Sequence, residues 1–443
     1  MNRRKGHPSE PVADIMGGIK PVVMVPDANA RAYASSSAPA RSEGQGPPIH
    51  ASEEMRRLAT PWSVAITKAN LLNRWDLSPG IILDPACGSA TQLAALCSAL
   101  QRPGLGVELS GAVAPLAAVN LENCGKTVQE DWLTSSRILW GDGVEASSII
   151  QTYHSHIEQN PNIALLHVDP ARPNDAQQHT LDEMQPQLDK LLMAWAPYFG
   201  KNLALIIDVS PRLLDTQRQE IESIVSSIWG DVAMTWQWLT QGRGRIDRLS
   251  LWVGSAAGTK PCRLIRLTKS GDVHLLEGTP NPSLSKSSKI RKGDHLAVAD
   301  PCLIASGLGE SWRLICASEE SRWETVSGRR PILISPLPVM SVASESNLDE
   351  QTIAMAQSMI QTAGEVIATI ATLEELSIPE TAKIAVDSGI SSVKLRCALD
   401  PKIQPKLQSK IDREMSSFTS NDSARTGFIT EIGQGYVICK EYD

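Results

Sequence analysis

Short apolar runs and amphipathic segments alternate along the middle of the chain. Five runs rich in branched apolar residues are too short for helices and predict buried strands: "GIILDPACG", "GLGVELS", "RILWGDG", "IALLHVDPA" and "NLALIIDVS". Segments with helical spacing of apolar residues lie between them, among them "TQLAALCSAL", "AVAPLAAVNLENC" and "VEASSIIQTYHSHIEQ". Two aromatic-rich segments, "VAMTWQWLTQGRG" and "RLSLWVGSA", predict an antiparallel hairpin at the sheet edge. Strands that alternate with helices predict a parallel sheet covered on both faces.

The predicted fold class is therefore α/β, a Rossmann-like, seven-stranded, mostly parallel sheet over residues 77–258, followed by a smaller α+β C-terminal region. Residues 1–50, rich in Pro, Ala, Ser and Gly, predict a disordered tail, and residues 51–76 a helical segment. The composition then changes, which predicts a mixed linker and β-rich region at 259–375 and a small α/β domain at 376–443. Within that region, "DEQTIAMAQSMIQTAGEVIATIATLEEL" predicts a helix.

Charge and cysteine content narrow the possible environments. The formal net charge of -7 means that any contact with nucleic acid must come from a local basic patch. The 8 cysteines form no C-x-x-C pair, which favours reduced thiols over a disulfide framework or a zinc site. We see no apolar run long enough to span a membrane and no signal peptide, so we expect a cytoplasmic protein without a metal or a membrane partner.

A loop of small residues follows the first predicted strand. Asp84 ends that strand, and Ala86, Gly88 and Ser89 lie between it and the next helix. Small side chains let backbone N–H groups approach a ligand at a helix N-terminus, and the Asp84 carboxylate can accept from a cationic amino group. Taken alone, the loop is also typical of an ordinary tight turn between a strand and a helix.

Acidic residues end the next two predicted strands. Glu108, followed by Leu109, stands where a carboxylate takes the two hydroxyls of a ribose, and Asp142 with Gly143 stands where an adenine amino group can bind. Each acid taken alone could be a solvated surface charge. Acids at the ends of three successive predicted strands favour a site for a nucleoside-type cofactor. There is no G-x-x-x-x-G-K-[ST] loop, and acids near the first loop would repel a pyrophosphate. S-adenosylmethionine, with its sulfonium and amino acid end, suits this pattern better than NAD.

The fourth predicted strand ends in "DPAR", residues Asp169, Pro170, Ala171 and Arg172. Proline stiffens this turn, and Asp169 can orient or accept a proton from a nucleophilic amino group. Arg172 can pair with a phosphate or carboxylate of a substrate, although a structural salt bridge is an equal alternative. No cysteine nucleophile stands beside this motif, which favours a nitrogen acceptor over a pyrimidine carbon.

Positive charge is concentrated in two stretches of the acidic chain. Arg243, Arg245 and Arg248 surround two glycines in "TQGRGRIDRL", which predicts a mobile hairpin tip able to bind phosphates, and "SKSSKIRKGDH" adds three lysines and an arginine. Solvated loops and RNA contact are both consistent with this pattern.

Together, "LDPACGSATQ", "GVELS", "GDG" and "HVDPAR" resemble class I S-adenosylmethionine-dependent methyltransferases. With "VADPCLIASGLGESW", "RPILISPLPV" and "ISSVKLRCALDP", the chain looks like the group in which a C-terminal THUMP-like domain follows. The resemblance implies an RNA methyltransferase in which Asp84, Gly88, Glu108 and Asp142 bind the cofactor and 169–172 line the catalytic site. Two departures stand out: Pro173 replaces the second arginine of D-P-A-R-R, and Ala90 replaces a third glycine in the first loop.

Three functions stay open at this point. The first is methylation of a base nitrogen in RNA, tRNA or rRNA, with the C-terminal region docking the RNA. The second is a methyltransferase of a small molecule or protein, and the third is a non-catalytic protein that binds S-adenosylmethionine and RNA. The sequence does not predict an oligomeric state.

Overall fold

The computed structural model describes residues 20–128, 131–158, 162–171, 180–199, 202–286, 289–345, 348–418, 425–433 and 435–442. The chain divides into two compact units. Unit 1 comprises Met1–Met234 and Ser250–Gly258, and unit 2 comprises Thr235–Leu249 and Thr259–Asp443. Two strands cross this boundary, and each is described below with the unit that holds most of its residues.

The described residues form seventeen strands. They are β1 Val22–Met24, β2 Ile81–Asp84, β3 Gly104–Glu108, β4 Arg137–Trp140, β5 Ile163–Val168, β6 Ala204–Val209, β7 Met234–Thr240, β8 Arg248–Gly254, β9 Cys262–Leu267, β10 Val273–Gly278, β11 His295–Ala299, β12 Arg322–Thr325, β13 Ile332–Ser335, β14 Ile360–Ile370, β15 Ser392–Leu395, β16 Thr426–Ile432 and β17 Gly435–Glu441.

The same residues form fourteen α-helices, together with short 3-10 turns. They are α1 Ala28–Ser37, α2 Glu53–Leu58, α3 Trp62–Leu72, α4 Thr91–Leu100, α5 Ala114–Val128, α6 Ala146–Ile157, α7 Leu188–Trp195, α8 Asp215–Trp229, α9 Pro301–Ala305, α10 Gly309–Cys316, α11 Ser341–Glu345, α12 Glu350–Ser358, α13 Ile378–Asp387 and α14 Gln404–Phe418.

The strands of unit 1 lie in the order β1-β4-β3-β2-β5-β6-β8. The pairs β2–β3, β3–β4, β2–β5 and β5–β6 are parallel, as the alternation of strands and helices predicts. All residues of β2, β5 and β6 are buried because helices cover both faces of the sheet. The chain builds outward from β2 through β3 to β4 and then returns to add β5 and β6 on the other side. This reversal between β2 and β5 is a topological switch point, where the carboxyl ends of two strands leave a crevice for a ligand.

Residues 20–50 differ from the predicted disordered tail. Strand β1 pairs antiparallel with β4, and Ala34 of α1 and Ala38, directly after α1, are buried against Leu116 and Val119 of α5. The prediction fails here because a short strand and an alanine-rich helix carry little local signal, and their order comes from tertiary packing.

Unit 2 contains a seven-stranded sheet in the order β12-β13-β11-β14-β17-β16-β15. This one sheet combines strands from both predicted C-terminal regions, 259–375 and 376–443. In the same unit, β9 pairs parallel with β7 and antiparallel with β10, so β7 is not the free edge strand that the sequence predicts.

The helix predicted over residues 349–376 is wrong beyond Ser358. Helix α12 ends there, and the long strand β14 follows, pairing with β11 on one side and β17 on the other. The β-branched residues of "IQTAGEVIATI" favour a strand, whereas Gly364 weakens a helix. A Cβ at Gly364 would lie 2.1 Å from the Lys440 carbonyl oxygen, so glycine allows the close approach of β17.

Candidate functional site

The loop between β2 and α4 is a tight turn of small residues. Gly88 has a φ of 52° and open space where a Cβ would stand, and Ala90 adopts a left-handed φ of 59° directly before α4. The buried amide of Asn120 on α5 donates to the Ser89 carbonyl oxygen at 2.9 Å. The loop is thereby fixed against α5, with the positive end of the α4 dipole beside it.

Glu108, at the end of β3, lies beside this loop. Its carboxylate accepts from the Ser110 backbone N–H at 2.7 Å. Burial raises the pKa of Glu108 above its usual range, and hydrogen bonds from the backbone N–H groups of Ser110 and Gly88 oppose that shift. The next side chain, Leu109, is 57% exposed beside the half-buried Glu108.

Asp142 and Gly143 follow β4 and lie against the first loop. The Asp142 carboxylate accepts from the Val144 backbone N–H at 3.1 Å. A Cβ at Gly143 would lie 2.0 Å from the Pro85 carbonyl oxygen, so only glycine allows the two loops to approach this closely. The Trp195 indole N–H donates to the Gly143 carbonyl oxygen at 2.8 Å and fixes the turn.

Asp84 ends β2 but faces the interior. Its side chain is only 2% exposed, with one oxygen 2.8 Å from Nδ1 of His167 and the other accepting from the Ala86 backbone N–H at 3.2 Å. The sequence predicts that Asp84 accepts from a ligand amino group, whereas the structure shows its carboxylate holding the loop and a buried histidine.

Asp169 is half-buried at the carboxyl end of β5, across the switch point from β2. Its Oδ2 accepts from Nε2 of Gln92 at 2.6 Å. Pro170 is buried, and exposed Ala171 exchanges two backbone hydrogen bonds with Gln185, which fixes this end of the motif. Arg172 and Pro173 lie outside the described residues.

A buried charge cluster lies under these loops and was not predicted from the sequence. It comprises Lys68 of α3, Asp84 of β2, His167 of β5 and Asp208 of β6, each at most 2% exposed. Nζ of Lys68 donates to Oδ2 of Asp208 and to Oε1 of Gln92, the latter at 2.6 Å, and the Ser250 hydroxyl donates to Oδ1 of Asp208 at 2.5 Å. A charged residue inside an apolar strand, as in "IALLHVD" and "LALIIDV", was the available signal.

Charge pairing sets the protonation of this cluster. Burial and the Lys68 cation lower the pKa of His167, but the carboxylates of Asp84 and Asp208 outweigh them and raise it to about 9. Burial favours neutral Asp208, yet Lys68 and His167 outweigh burial and lower its pKa well below the usual range. At neutral pH the imidazolium therefore donates from both ring nitrogens, to Asp84 and to Asp208.

The predicted arginine site lies in unit 2. Arg243 and Arg245 are exposed in the turn between β7 and β8, and Arg245 pairs with Asp247 at 3.0 Å. The turn is predicted to be mobile, but its backbone is hydrogen-bonded: the Gly242 N–H donates to the Thr240 hydroxyl at 2.8 Å and the Gln241 N–H to Asp247 at 2.6 Å. Arg248 is half-buried and donates to the Asp247 carbonyl oxygen at 3.0 Å.

A second basic surface of unit 2 was not predicted. Lys406, Lys410 and Arg413 of α14 follow one another at helical spacing and line an open groove of about 430 Å³. The sequence signal was present as "KLQSKIDR", but an isolated helical charge pattern is typical of any solvated face.

The described residues were also searched for disulfides, metal-binding groups and membrane-spanning helices. All eight cysteines are buried free thiols, and burial with the nearby Asp84 and Glu108 carboxylates raises the pKa of Cys87, which keeps that thiol protonated. Within the described ranges, no group of three or more His, Cys, Asp or Glu side chains could hold a metal ion. No helix in this part of the chain is long and apolar enough to cross a membrane.

Comparison with known proteins gives structural likenesses only. No protein-family model matches the sequence, and no curated protein is similar to it. The fold is similar to that of a candidate class I S-adenosylmethionine-dependent methyltransferase from Listeria monocytogenes (15% identity, TM-score 0.30), over 45% of this chain and 61%, less than two thirds, of that chain. It is also similar to a precorrin-6y C5,15-methyltransferase from Geobacter metallireducens (9% identity, TM-score 0.30, 46% of this chain and 93% of that chain).

A third likeness is to a candidate RNA methyltransferase from Pyrococcus horikoshii, at 15% identity and a TM-score of 0.27, over 45% of this chain and 87% of that chain. The residues of the site, rather than these likenesses, are the basis of the function proposed below.

Proposed function

We propose that unit 1 is an S-adenosylmethionine-dependent methyltransferase. The observation that carries this proposal is the convergence of four strand-end loops at the switch point, with Gly88, Glu108 and Gly143 on one side and Asp169 on the other. Ligands bind at such a crevice in doubly wound sheets. When bound, S-adenosylmethionine supplies a methyl group on an electrophilic sulfonium.

The residues present fit this cofactor. Gly88 leaves open space beside the positive end of α4, which suits a carboxylate, and Glu108 offers acceptors for two ribose hydroxyls. Exposed Leu109 offers an apolar surface for a purine ring, and Asp142 an acceptor for its amino group. The proposed cofactor site also includes Asp84, Ala86 and Ser89, which hold the shape of the loop.

Asp169 is the proposed catalytic residue, with Pro170, Ala171 and Arg172 bordering the acceptor. A carboxylate at this position orients an amino group and takes the proton that the nitrogen loses as it gains a methyl group. A nitrogen acceptor fits best because Cys87, the cysteine of the first loop, is buried with a raised pKa and is a poor nucleophile.

We further propose that the methyl acceptor is a base nitrogen of RNA, in tRNA or rRNA. Unit 2 would then dock the RNA in the manner of a THUMP-like domain. Exposed Arg243 and Arg245, together with the basic face of α14, offer phosphate contacts in an otherwise acidic chain. We expect Arg248 to support this turn.

Transfer of a labelled methyl group tests the proposal. Total RNA from a host strain that lacks the protein is incubated with labelled S-adenosylmethionine and wild type or Asp169→Ala. We expect label in an RNA fraction with wild type and at least a 100-fold lower rate with the variant, the lower end of the range for loss of general acid–base catalysis. The matched control is Asp189→Ala, an exposed acid on α7.

The outcomes separate the alternatives. Label in small molecules or protein, but not in RNA, would favour the second function and remove the role of RNA. Binding of S-adenosylmethionine and RNA without any transfer would favour the non-catalytic protein, and no binding of S-adenosylmethionine would contradict the proposal altogether.

A further inference from the structure

A continuous chain of hydrogen bonds joins the buried charge cluster to Asp169. It runs from Asp208 to Lys68, from Lys68 Nζ to Gln92 Oε1 at 2.6 Å, and from Gln92 Nε2 to Asp169 Oδ2 at 2.6 Å. Lys68 is 1% exposed and Gln92 8%, so water competes little for these contacts. The chain ends on the half-buried carboxylate at the acceptor side of the crevice.

Lys68 fixes which way the amide of Gln92 points. An ammonium group has three donors and no acceptor, so only the amide oxygen of Gln92 can face it. The amide N–H groups of Gln92 then point at Asp169, where they donate to an ionised carboxylate. The orientation of Asp169 is therefore set from α3, through Gln92.

Gln92 also links the two halves of the crevice. It lies in the first turn of α4, the helix that follows the small-residue loop and has Ala90 directly before it. A displacement of this helix end moves the loop and the donor to Asp169 together. Gln92 therefore lies between the proposed cofactor site and the proposed acceptor site.

We infer that Gln92 is a positioning residue for methyl transfer, which, oriented by Lys68, holds the Asp169 carboxylate ionised and directed at the acceptor nitrogen. This inference rests on the proposed function. The titratable groups connected to Asp169 through the chain are Lys68 on α3, Asp84 on β2, His167 on β5 and Asp208 on β6. These four groups carry two positive and two negative charges, which cancel, so Gln92, an uncharged donor to Asp169, is the residue to change.

The first test replaces Gln92 by methionine, which has a similar shape and no donor. We expect kcat to fall about 10- to 100-fold, with the Kd for S-adenosylmethionine and the KM for the acceptor within about twofold of wild type. Loss of a donor to the ionised carboxylate also moves the acid limb of the pH–rate profile up by about one pH unit. The matched control is Gln187→Met at an exposed glutamine before α7.

The second test, Gln92→Glu, gives a response that a purely structural role would not give. The introduced carboxyl can still accept from Lys68, repels Asp169 when ionised and donates to it when protonated. We expect activity to recover toward acid pH, where wild type loses it. A profile that matches wild type in shape for both variants would overturn the inference, even if both variants were slower.

A measurement without turnover separates this inference from the proposed function. Carbon-13 carboxyl NMR titration of the full chain follows Asp169, assigned with Asp169→Asn. We expect its titration midpoint to rise in Gln92→Met and to stay unchanged in Gln187→Met. If wild type transfers no methyl group, the proposed function fails while this shift still tests the contact; an unchanged midpoint overturns the inference whatever the activity.

Discussion

Both units bury charged side chains, but they place them differently. In unit 1, Lys68, His167 and Asp208 come from three elements and meet beneath the strand ends at the switch point. In unit 2, Arg263 of β9 reaches Glu277 of the neighbouring strand β10 at 2.8 Å, and Glu277 is 25% exposed. The pair in unit 2 joins neighbouring strands, whereas the cluster in unit 1 supports loops.

Burial of charge therefore does not by itself mark a functional site. A cross-strand pair such as Arg263–Glu277 stabilises local sheet structure. Charges that converge from separate strands at the carboxyl edge of a parallel sheet lie where ligands bind, and they order the loops that contact the ligand.

Removing the buried cation of unit 1 has the largest expected effect. Lys68→Met leaves Asp208 without its main partner, and breaking a buried pair in this way costs about 3–5 kcal/mol of unfolding free energy. The matched change in unit 2, Arg263→Met, costs less because water can reach Glu277. Urea unfolding measures both, and equal losses would contradict the contrast between the units.

A double variant sharpens that prediction. Replacing Lys68 by methionine and Asp208 by leucine removes both charges, so a large part of the lost stability returns. A double variant as unstable as Lys68→Met would show that the loss came from packing rather than from an uncompensated charge.

The pH dependence of stability reports on His167. Its pKa is raised to about 9 in the folded state, above the value of about 6.5 of an unfolded chain. Its contribution is therefore complete below about pH 6.5 and is lost as the pH rises through 9, a fall of about 3 kcal/mol. Unfolding curves across this range should show the fall in wild type and in His154→Asn, an exposed control, but not in His167→Asn. The same slope in His167→Asn would contradict the charged imidazolium.

Glu108→Gln tests the cofactor side of the crevice. Exchanging a carboxylate acceptor for a neutral amide weakens the bonds to two hydroxyls, so we expect the Kd for S-adenosylmethionine to rise about 10- to 100-fold. Isothermal titration calorimetry measures this change, with the exposed Glu145→Gln as the control at the same sheet edge. An unchanged Kd in Glu108→Gln would remove Glu108 from the site.

Glycine substitutions at residues with left-handed backbone conformation have the smallest expected effect on stability. Ala90 of unit 1 and Arg243 of unit 2 have φ values of 59° and 63°, a conformation that favours glycine. We expect Ala90→Gly and Arg243→Gly each to raise the unfolding free energy by about 0.5–1 kcal/mol. A loss of stability in Ala90→Gly alone would mean that packing of the buried Ala90 methyl group outweighs backbone strain.

Local pattern predicts the alternating strands and helices of unit 1 because a buried parallel strand is a continuous apolar run. The acids at the strand ends follow from that assignment, since the carboxyl ends of parallel strands share one edge of the sheet. Glu108 and Gly143 are therefore predictable, and the structure places both beside the first loop.

Long-range convergence is what the sequence does not reveal. Lys68 and Asp208 are 140 positions apart and meet only after the sheet and α3 pack together. The inward orientation of Asp84 depends on His167, a contact that no local pattern encodes. The change from α12 to β14 was missed because the alanines and other apolar residues of this segment suit either element until partner strands decide.

Binding of S-adenosylmethionine to the full-length wild-type chain tests whether the switch-point crevice of unit 1 is a methyl-donor site. Isothermal titration calorimetry at pH 7 should give one site per chain with a Kd on the order of micromolar, weakened in Glu108→Gln and retained in Glu145→Gln. A folded protein that shows no binding at millimolar S-adenosylmethionine would contradict the assignment of the switch-point crevice as a methyl-donor site.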